Sequence, residues 1–287
     1  MIVVASMHSE RRVVGSIVSC TLCGQTSRPL FDEKVLRRHV ASFHYCQDCD
    51  YIFAANPFWL DEAYMDAIVA TDTDIAVRNI FTALRLSSIF FWVLGERGDG
   101  VYADAAGGYG LLARLLRDLG FNMLWSDKYA QNLFARGFEY TESVGACTAV
   151  SAVEVLEHTP NPKVFIQACF SEFRADTLFF TTELFSSGQP PQAKDWSYFS
   201  FETGQHISFF SENGLRKLAS QMGLNYYSAG RIHCFTKKSI PGWKLSLATN
   251  KFLVVPLSLF AAKCLGSRRA TDQSLLIKRY RDSAGEK

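Results

Sequence analysis

The stretch Tyr102-Ala103-Asp104-Ala105-Ala106-Gly107-Gly108-Tyr109-Gly110 decides how the 287-residue chain folds. Val101 to Asp104 reads as a short buried strand, the glycines as a turn, and Leu111 to Leu119, closed by Gly120, as the next helix. A glycine turn between strand and helix lets the backbone approach a ligand at the carboxyl edge of a sheet. Outward from this point the same alternation repeats. Phe121 to Ser126 and Thr148 to Val153 read as strands, Pro162 to Glu172 as a helix, and Thr177 to Thr182 as a fourth strand. Ser211 is placed to cap a helix through Met222, with Gly223 at its end. Tyr226 to Ala229 and Arg231 to Phe235 could close the sheet, and Trp59 to Ala70 and Thr73 to Leu94 are helical in pattern. The expected fold class is α/β, a doubly wound Rossmann-like sheet.

With 48% hydrophobic and 20% charged residues, the chain can bury a full core, which excludes a disordered or low-complexity protein. The sequence offers no apolar run of the roughly 18–20 residues that cross a bilayer, so no transmembrane segment is expected. Met1 to Ser9 precede Glu10, Arg11 and Arg12, the wrong order for a secretory signal, and the expected location is cytoplasmic. Charge is unevenly spread. Residues 61–235 carry 13 Lys and Arg against 20 Asp and Glu, whereas residues 236–287 carry 11 against 3. The acidic middle does not suit nucleic acid, while the basic tail could meet phosphates or lie on an anionic membrane as a peripheral contact.

Four of the eight cysteines form two pairs, Cys20-Thr-Leu-Cys23 and Cys46-Gln-Asp-Cys49, with 22 residues between them. Two such knuckles match a four-thiolate zinc site, in which each tight turn aims two sulfurs at one ion. Because the protein fills all four positions, the Zn²⁺ should be structural. It would staple a small amino-terminal module with few apolar residues of its own.

Asp104 narrows the choice of cofactor. Gly108-x-Gly110-x-x-Ala113 satisfies the dinucleotide pattern, but a carboxylate at that strand end opposes a phosphate. It suits a cofactor with a positive end, such as S-adenosylmethionine with its ammonium and sulfonium. Asp127 ends the second strand, where a carboxylate can accept both ribose hydroxyls of either kind of nucleoside cofactor.

Asp104 to Gly110, Asp127 and Glu154-Val155-Leu156-Glu157-His158 together resemble the class I S-adenosylmethionine-dependent methyltransferases. The run Gly204-Gln205-His206-Ile207-Ser208-Phe209-Phe210-Ser211 and the paired cysteines resemble a bacterial subgroup, the sugar C-methyltransferases with an amino-terminal zinc-binding domain and their relatives in polysaccharide biosynthesis. The likeness spans roughly residues 18–235. It implies that Asp104 lies near the methionine ammonium, that Gly107, Gly108 and Gly110 make room for the methionine and ribose, and that Asp127 holds the ribose. One position departs from the family pattern: Ala106 stands where its loop usually has a glycine.

The resemblance further implies a small-molecule acceptor, a sugar or nucleotide-sugar, and such an acceptor needs a base. His206 is the candidate, with Tyr198 and Glu202 as alternatives, amid aromatics from Trp196 to Phe210 that could wall off a pocket. The expected organisation is a zinc-binding module at 1–60, a helical linker at 61–95, the methyltransferase domain at 96–235 and a basic extension at 236–287. Two rival functions share parts of this pattern, an NAD-linked oxidoreductase and a zinc-finger nucleic-acid methyltransferase.

Overall fold

A computed structural model describes residues 18–65 and 69–284. The first elements are strands β1 (Val18–Ser19), β2 (Thr26–Val35), β3 (His39–Cys46) and β4 (Tyr51–Ala54), followed by helices α1 (Leu60–Ala63) and α2 (Ile75–Trp92). Then come β5 (Val101–Ala105), α3 (Leu111–Asp118), β6 (Asn122–Ser126), β7 (Ala149–Val153), α4 (Pro162–Glu172), β8 (Thr177–Thr181) and β9 (Leu184–Phe185). The chain continues through β10 (Ser208–Ser211), α5 (Glu212–Gln221), β11 (Asn225–Ala229), β12 (Ile232–Thr236), α6 (Gly242–Ala248), α7 (Val254–Leu265) and α8 (Arg269–Ala284).

The expected doubly wound sheet is present, with strand order β11-β12-β8-β7-β5-β6. Strands β6, β5, β7 and β8 run parallel, and the β11–β12 hairpin closes the edge antiparallel to β8. Side-chain alternation along each strand feeds two cores. On one face Tyr102, Met123, Ala149 and Phe179 pack with Leu86 and Phe90 of α2 and Leu112 and Leu116 of α3. On the other, Ala103, Val150, Leu178 and Phe180 meet Ile166 of α4 and Leu215 and Leu218 of α5. Ser211 caps α5 as expected, its Oγ accepting from Gly214 N at 2.9 Å. Helix α1 is shorter than the pattern from 59 to 70 suggested, and that stretch runs into residues outside those described.

The amino-terminal strands belong to a second sheet of order β1-β2-β3-β4-β10-β9. Its core, Phe43, Ile52, Trp59, Phe199 and Phe209, absorbs most of the aromatics that could have walled a pocket. The sheet therefore joins the amino-terminal strands to a segment 157 residues further along the chain: β4 pairs with β10, and Tyr51 hydrogen-bonds Ser208 at 2.7 Å.

Helix α2 spans 18 residues of mean hydropathy 1.2, enough by length and composition to cross a membrane. Its packing on α3 and α7 makes it a core helix. The carboxyl-terminal helices cover that same face: Ser258 of α7 meets Ser87 of α2 at 2.6 Å, with Ala261 fully buried. Helix α8 is fixed by an ion pair. Asp272 accepts from Arg117 Nε and Nη2 at 2.8 and 2.7 Å and from Arg114 at 2.9 Å, and these contacts hold its carboxyl below the usual carboxylate range despite burial. Arg117 is itself 3% exposed and stacks 3.7 Å from the Phe138 ring. Asp272→Ala would strand that guanidinium, so urea unfolding should show a loss of about 3–5 kcal/mol. A loss below about 1 kcal/mol would mean that α8 contributes little to the fold.

Candidate functional site

Strands β5, β6 and β7 end together at the point where the chain order reverses, between β5 and β7, and there the sheet opens into a cavity of about 1040 Å³. That exceeds the roughly 300–1,000 Å³ of ordinary ligand pockets and leaves room for a cofactor and an acceptor together. Asp104, Gly107, Gly108, Asp127 and His206 all line it.

Asp104 is 2% exposed at the end of β5. Its Oδ1 accepts from Ser151 Oγ at 2.6 Å, across the register Asp104–Ser151 on β7. Burial pushes its carboxyl up to about 7, with Asp127 adding to the rise and Ser151 opposing it. Gly107 sits over this carboxylate so closely that a Cβ would come within 2.8 Å of Oδ2 and 3.0 Å of Trp125. Any side chain there would displace Asp104 or the Trp125 ring, whose Nε1 donates to Gly108 O at 2.8 Å. Ala106 adopts φ +52°, the left-handed region a glycine tolerates better, so the departure from the family pattern is a local strain of about 1 kcal/mol.

Asp127 is the loop's organiser. Its Oδ2 accepts from Gly108 N at 2.9 Å, and its Oδ1 from Tyr129 N and Ala130 N at 2.7 and 2.8 Å. Three of about four lone-pair directions are thus filled, so Asp127, which lines the cavity, has room for one hydroxyl rather than the two expected of it. Gly110 does not line the cavity; at φ +83° it starts α3, where a Cβ would strike Asn132 Oδ1 at 2.7 Å.

A turn at Leu156–His158 brings Glu157 and His158 beside His206; the two histidines line the cavity, and Glu157 is buried behind them. The two imidazoles lie 4.8 Å apart, nearly perpendicular. Burial lowers both, His206 below its usual value and His158, with His206 as second cause, to about 3, so both are neutral near pH 7. Burial raises Glu157 well above the usual carboxylate range, reinforced by Glu154. The Tyr198 hydroxyl donates to Glu157 Oε1 at 2.7 Å and lies 3.3 Å from Glu154 Oε2. Ser151 and Trp125 are supporting residues that motif reading overlooked, whereas Tyr198, expected as an alternative base, is found donating to Glu157. Ser151 and Trp125 become visible only once the strand register is known.

The second cluster lies away from this cavity. Cys20, Cys23, Cys46 and Cys49 bring their sulfurs within 4.8 Å of one another, with no disulfide among them. Cys23 and Cys46 Sγ are 3.7 Å apart, close to the roughly 3.8 Å edge of a tetrahedron with Zn–S bonds of about 2.3 Å. Leu22 N and Cys49 N each point at a cysteine sulfur at 3.4 Å. The donor set and its spacing fit Zn²⁺.

Residues 90–229, a little under half of the chain, match the family described as a methyltransferase domain. With the Rossmann-like sheet and the pocket at its switch point, this match supports an S-adenosylmethionine-dependent methyltransferase. Among solved structures, the chain is similar to magnesium protoporphyrin IX methyltransferase from Synechocystis with bound SAH, at 18% identity and TM-score 0.40, over 62% of this chain and 93% of that one. It is also similar to the plantazolicin methyltransferase BpumL in complex with SAH, at 9% identity and TM-score 0.43, over 69% and 88%. A third is an O-methyltransferase family 2 protein from Planctomyces limnophilus in complex with apigenin, at 14% identity and TM-score 0.39, over 62% and 66%. No curated protein gives a significant match.

Proposed function

We propose that the protein transfers a methyl group from S-adenosylmethionine to a small-molecule acceptor, a sugar or a glycan precursor, with Zn²⁺ as a structural metal at the four cysteines. The observation that carries this reading is the buried Asp104 carboxylate beneath the glycine loop, because a buried acid with no cation beside it among the described residues suits a positively charged ligand. Asp104, Gly107 and Gly108 would receive the methionine end and Asp127 the ribose, while Gly110 shapes the turn. The sugar acceptor rests on the subgroup resemblance and on the polar wall at Asp61, Asn79, Ser200 and Thr203.

His206 is the proposed base. Its Nδ1 lies 2.6 Å from Tyr198 O, a carbonyl that can only accept, so the proton sits on Nδ1 and the Nε2 lone pair is free to take one from a hydroxyl. The protein would work in the cytoplasm. Its basic tail also exposes Trp243, Phe252, Leu259 and Phe260, which supports peripheral contact with an anionic membrane where a lipid-linked precursor would reside. Nucleic acid is not a proposed partner.

S-adenosylhomocysteine should raise the melting temperature, since a ligand at 100 times its Kd stabilises the native state by about 2.7 kcal/mol. Asp104→Ala and Asp127→Ala should each weaken that shift. The Asp104 pKa near 7 adds a sign. Below it the carboxyl is neutral and offers no countercharge to the ligand's ammonium, so affinity should rise between pH 6 and 8 and then level off. Asp104→Asn should flatten that slope. Unchanged affinity in both folded alanine variants would remove the cofactor from this pocket.

A further inference from the structure

Glu157 carries a buried oxygen without a partner. The residue is 0% exposed; Oε1 receives the Tyr198 hydroxyl, the Glu157 N–H and the Thr182 hydroxyl also approach the carboxylate, and Oε2 has no hydrogen bond of normal geometry among the described residues. An unpaired carboxylate oxygen at such depth is costly unless a proton or a metal cation is brought to it. Two imidazoles stand beside it, and their orientation is informative. His158 Nδ1 lies 3.2 Å from Gln205 O, and His206 Nδ1 lies 2.6 Å from Tyr198 O. Carbonyl oxygens cannot donate, so both rings carry their proton on Nδ1 and keep an open lone pair on Nε2. Metal-binding histidines are held in the same way, with the far nitrogen tied to a backbone carbonyl.

We propose that Glu157, His158 and His206 form a site for one divalent transition-metal cation at the acceptor end of the pocket. Each of the three brings one ligand atom, and these atoms lie within 4.8 Å of one another. With ligands at about 2.1 Å the edge of a tetrahedron is about 3.4 Å, so the three groups would have to close by up to about 1.4 Å around an ion, a movement within reach of side-chain rotation. Two imidazoles and a carboxylate favour Mn²⁺, Fe²⁺, Co²⁺ or Zn²⁺ over Mg²⁺ or Ca²⁺. The nearby Arg78 does not compete for Glu157, since it is already paired with Asp72 at 2.6 and 2.9 Å. Three protein ligands leave positions open toward the cavity, and an acceptor hydroxyl is the class of ligand that would fill one.

This deepens the proposed function and rests on the cavity being the site of methyl transfer. Ion binding and proton acceptance use the same Nε2 lone pair, so a loaded site makes His206 a ligand. The cation then acidifies the bound hydroxyl, and its proton leaves to water. The oxygen lone pair forms the bond to the methyl carbon as the carbon–sulfur bond breaks onto sulfur, leaving a neutral thioether.

The test uses the full chain carrying one equivalent of zinc, which the four thiolates take first, freed of excess zinc, titrated with MnCl₂ and followed by the loss of the free Mn²⁺ signal in electron paramagnetic resonance. One Mn²⁺ per chain is expected. Glu157→Gln and His158→Ala should each weaken it more than about 100-fold, because changes to residues that merely orient ligands already cost about 10–100-fold. S-adenosylhomocysteine melting shifts on the same samples report whether the pocket is folded. Protein that binds S-adenosylhomocysteine but leaves millimolar Mn²⁺ free overturns the metal site alone, as do variants that bind Mn²⁺ as tightly as wild type. Protein that binds Mn²⁺ but not S-adenosylhomocysteine keeps the metal site and overturns the cofactor reading.

Discussion

Cys20→Ser should lower the stability of the whole chain by several kcal/mol and abolish the binding of about one zinc per molecule. Structural zinc contributes on the order of 10–16 kcal/mol to small zinc-finger peptides, so losing one of four ligands removes a substantial part of that. The effect should not stay local. Cys20, Cys46 and Cys49 are buried in the same core as Ala103, Val150 and Leu215, residues of the methyltransferase sheet and of α5. Asp50, next to Cys49, accepts from Ser211 Oγ at the start of α5 and from Gly188 N at 3.0 Å. Loosening the knuckle therefore loosens the cap of a helix that packs on the sheet. Thermal melts should show one lowered, cooperative transition. Elemental analysis finding no metal, with all four thiols reactive in the native protein, would refute the zinc assignment.

His206→Ala should lower kcat by roughly 10²–10⁴-fold while the S-adenosylhomocysteine melting shift persists. Its Nδ1 is tied to Tyr198 O, and among the described residues no hydrogen bond joins it to Asp104 or Asp127, so the cofactor end should keep its own contacts. Burial lowers the His206 pKa below its usual 6.5, which fixes the direction of the pH dependence. The wild-type rate should fall on the acid side only below pH 6.5, as Nε2 gains a proton, and the variant should lack that limb. Saturating Mn²⁺ should move the limb further down, because the cation competes with the proton for one lone pair. A variant with wild-type turnover, or one that also loses S-adenosylhomocysteine binding, would make His206 a structural residue. The proton acceptor would then be sought at Tyr198 or His158, since Glu202, the other expected alternative, is exposed and does not line the cavity.

The alternating core of the Rossmann-like sheet was readable because each strand is short, apolar and followed by a turn and an amphipathic helix. Pro162–Glu172 matches its expected helix end for end, and Asn161 caps it by accepting from Val164 N. The second sheet was not readable. Thr26–Val35 mixes Arg28, Asp32, Glu33 and Lys34 with few apolar residues, because one of its faces is solvated. Strand β10 is four residues long and buried throughout, so it shows no alternation to detect. At the site, the residues of the glycine loop carry their own signal, since a carboxylate among glycines is unusual. Ser151 carries none: a serine in an apolar strand gains meaning only from its neighbour across the register, Asp104. The meeting of His158 with His206 likewise depends on β10 lying beside the turn at Leu156–His158, where Ile207 N donates to Glu157 O at 2.8 Å.

The pairing of β4 with β10 has a consequence for how the chain is made. Ile52 must find Phe209, a partner that a ribosome adding about 5–20 residues per second supplies only some 8–30 seconds later. Until then the β2–β3–β4 meander has one strand edge unpaired, flanked by buried aromatics such as Phe43 and Tyr51, which is the kind of surface that recruits other nascent chains. The two cysteine knuckles lie on the early side of that wait and can close on an ion as soon as Cys49 emerges. Zinc supply during synthesis would then govern the yield of native protein more than its turnover, and starvation for the metal should appear first as aggregation of newly made chains.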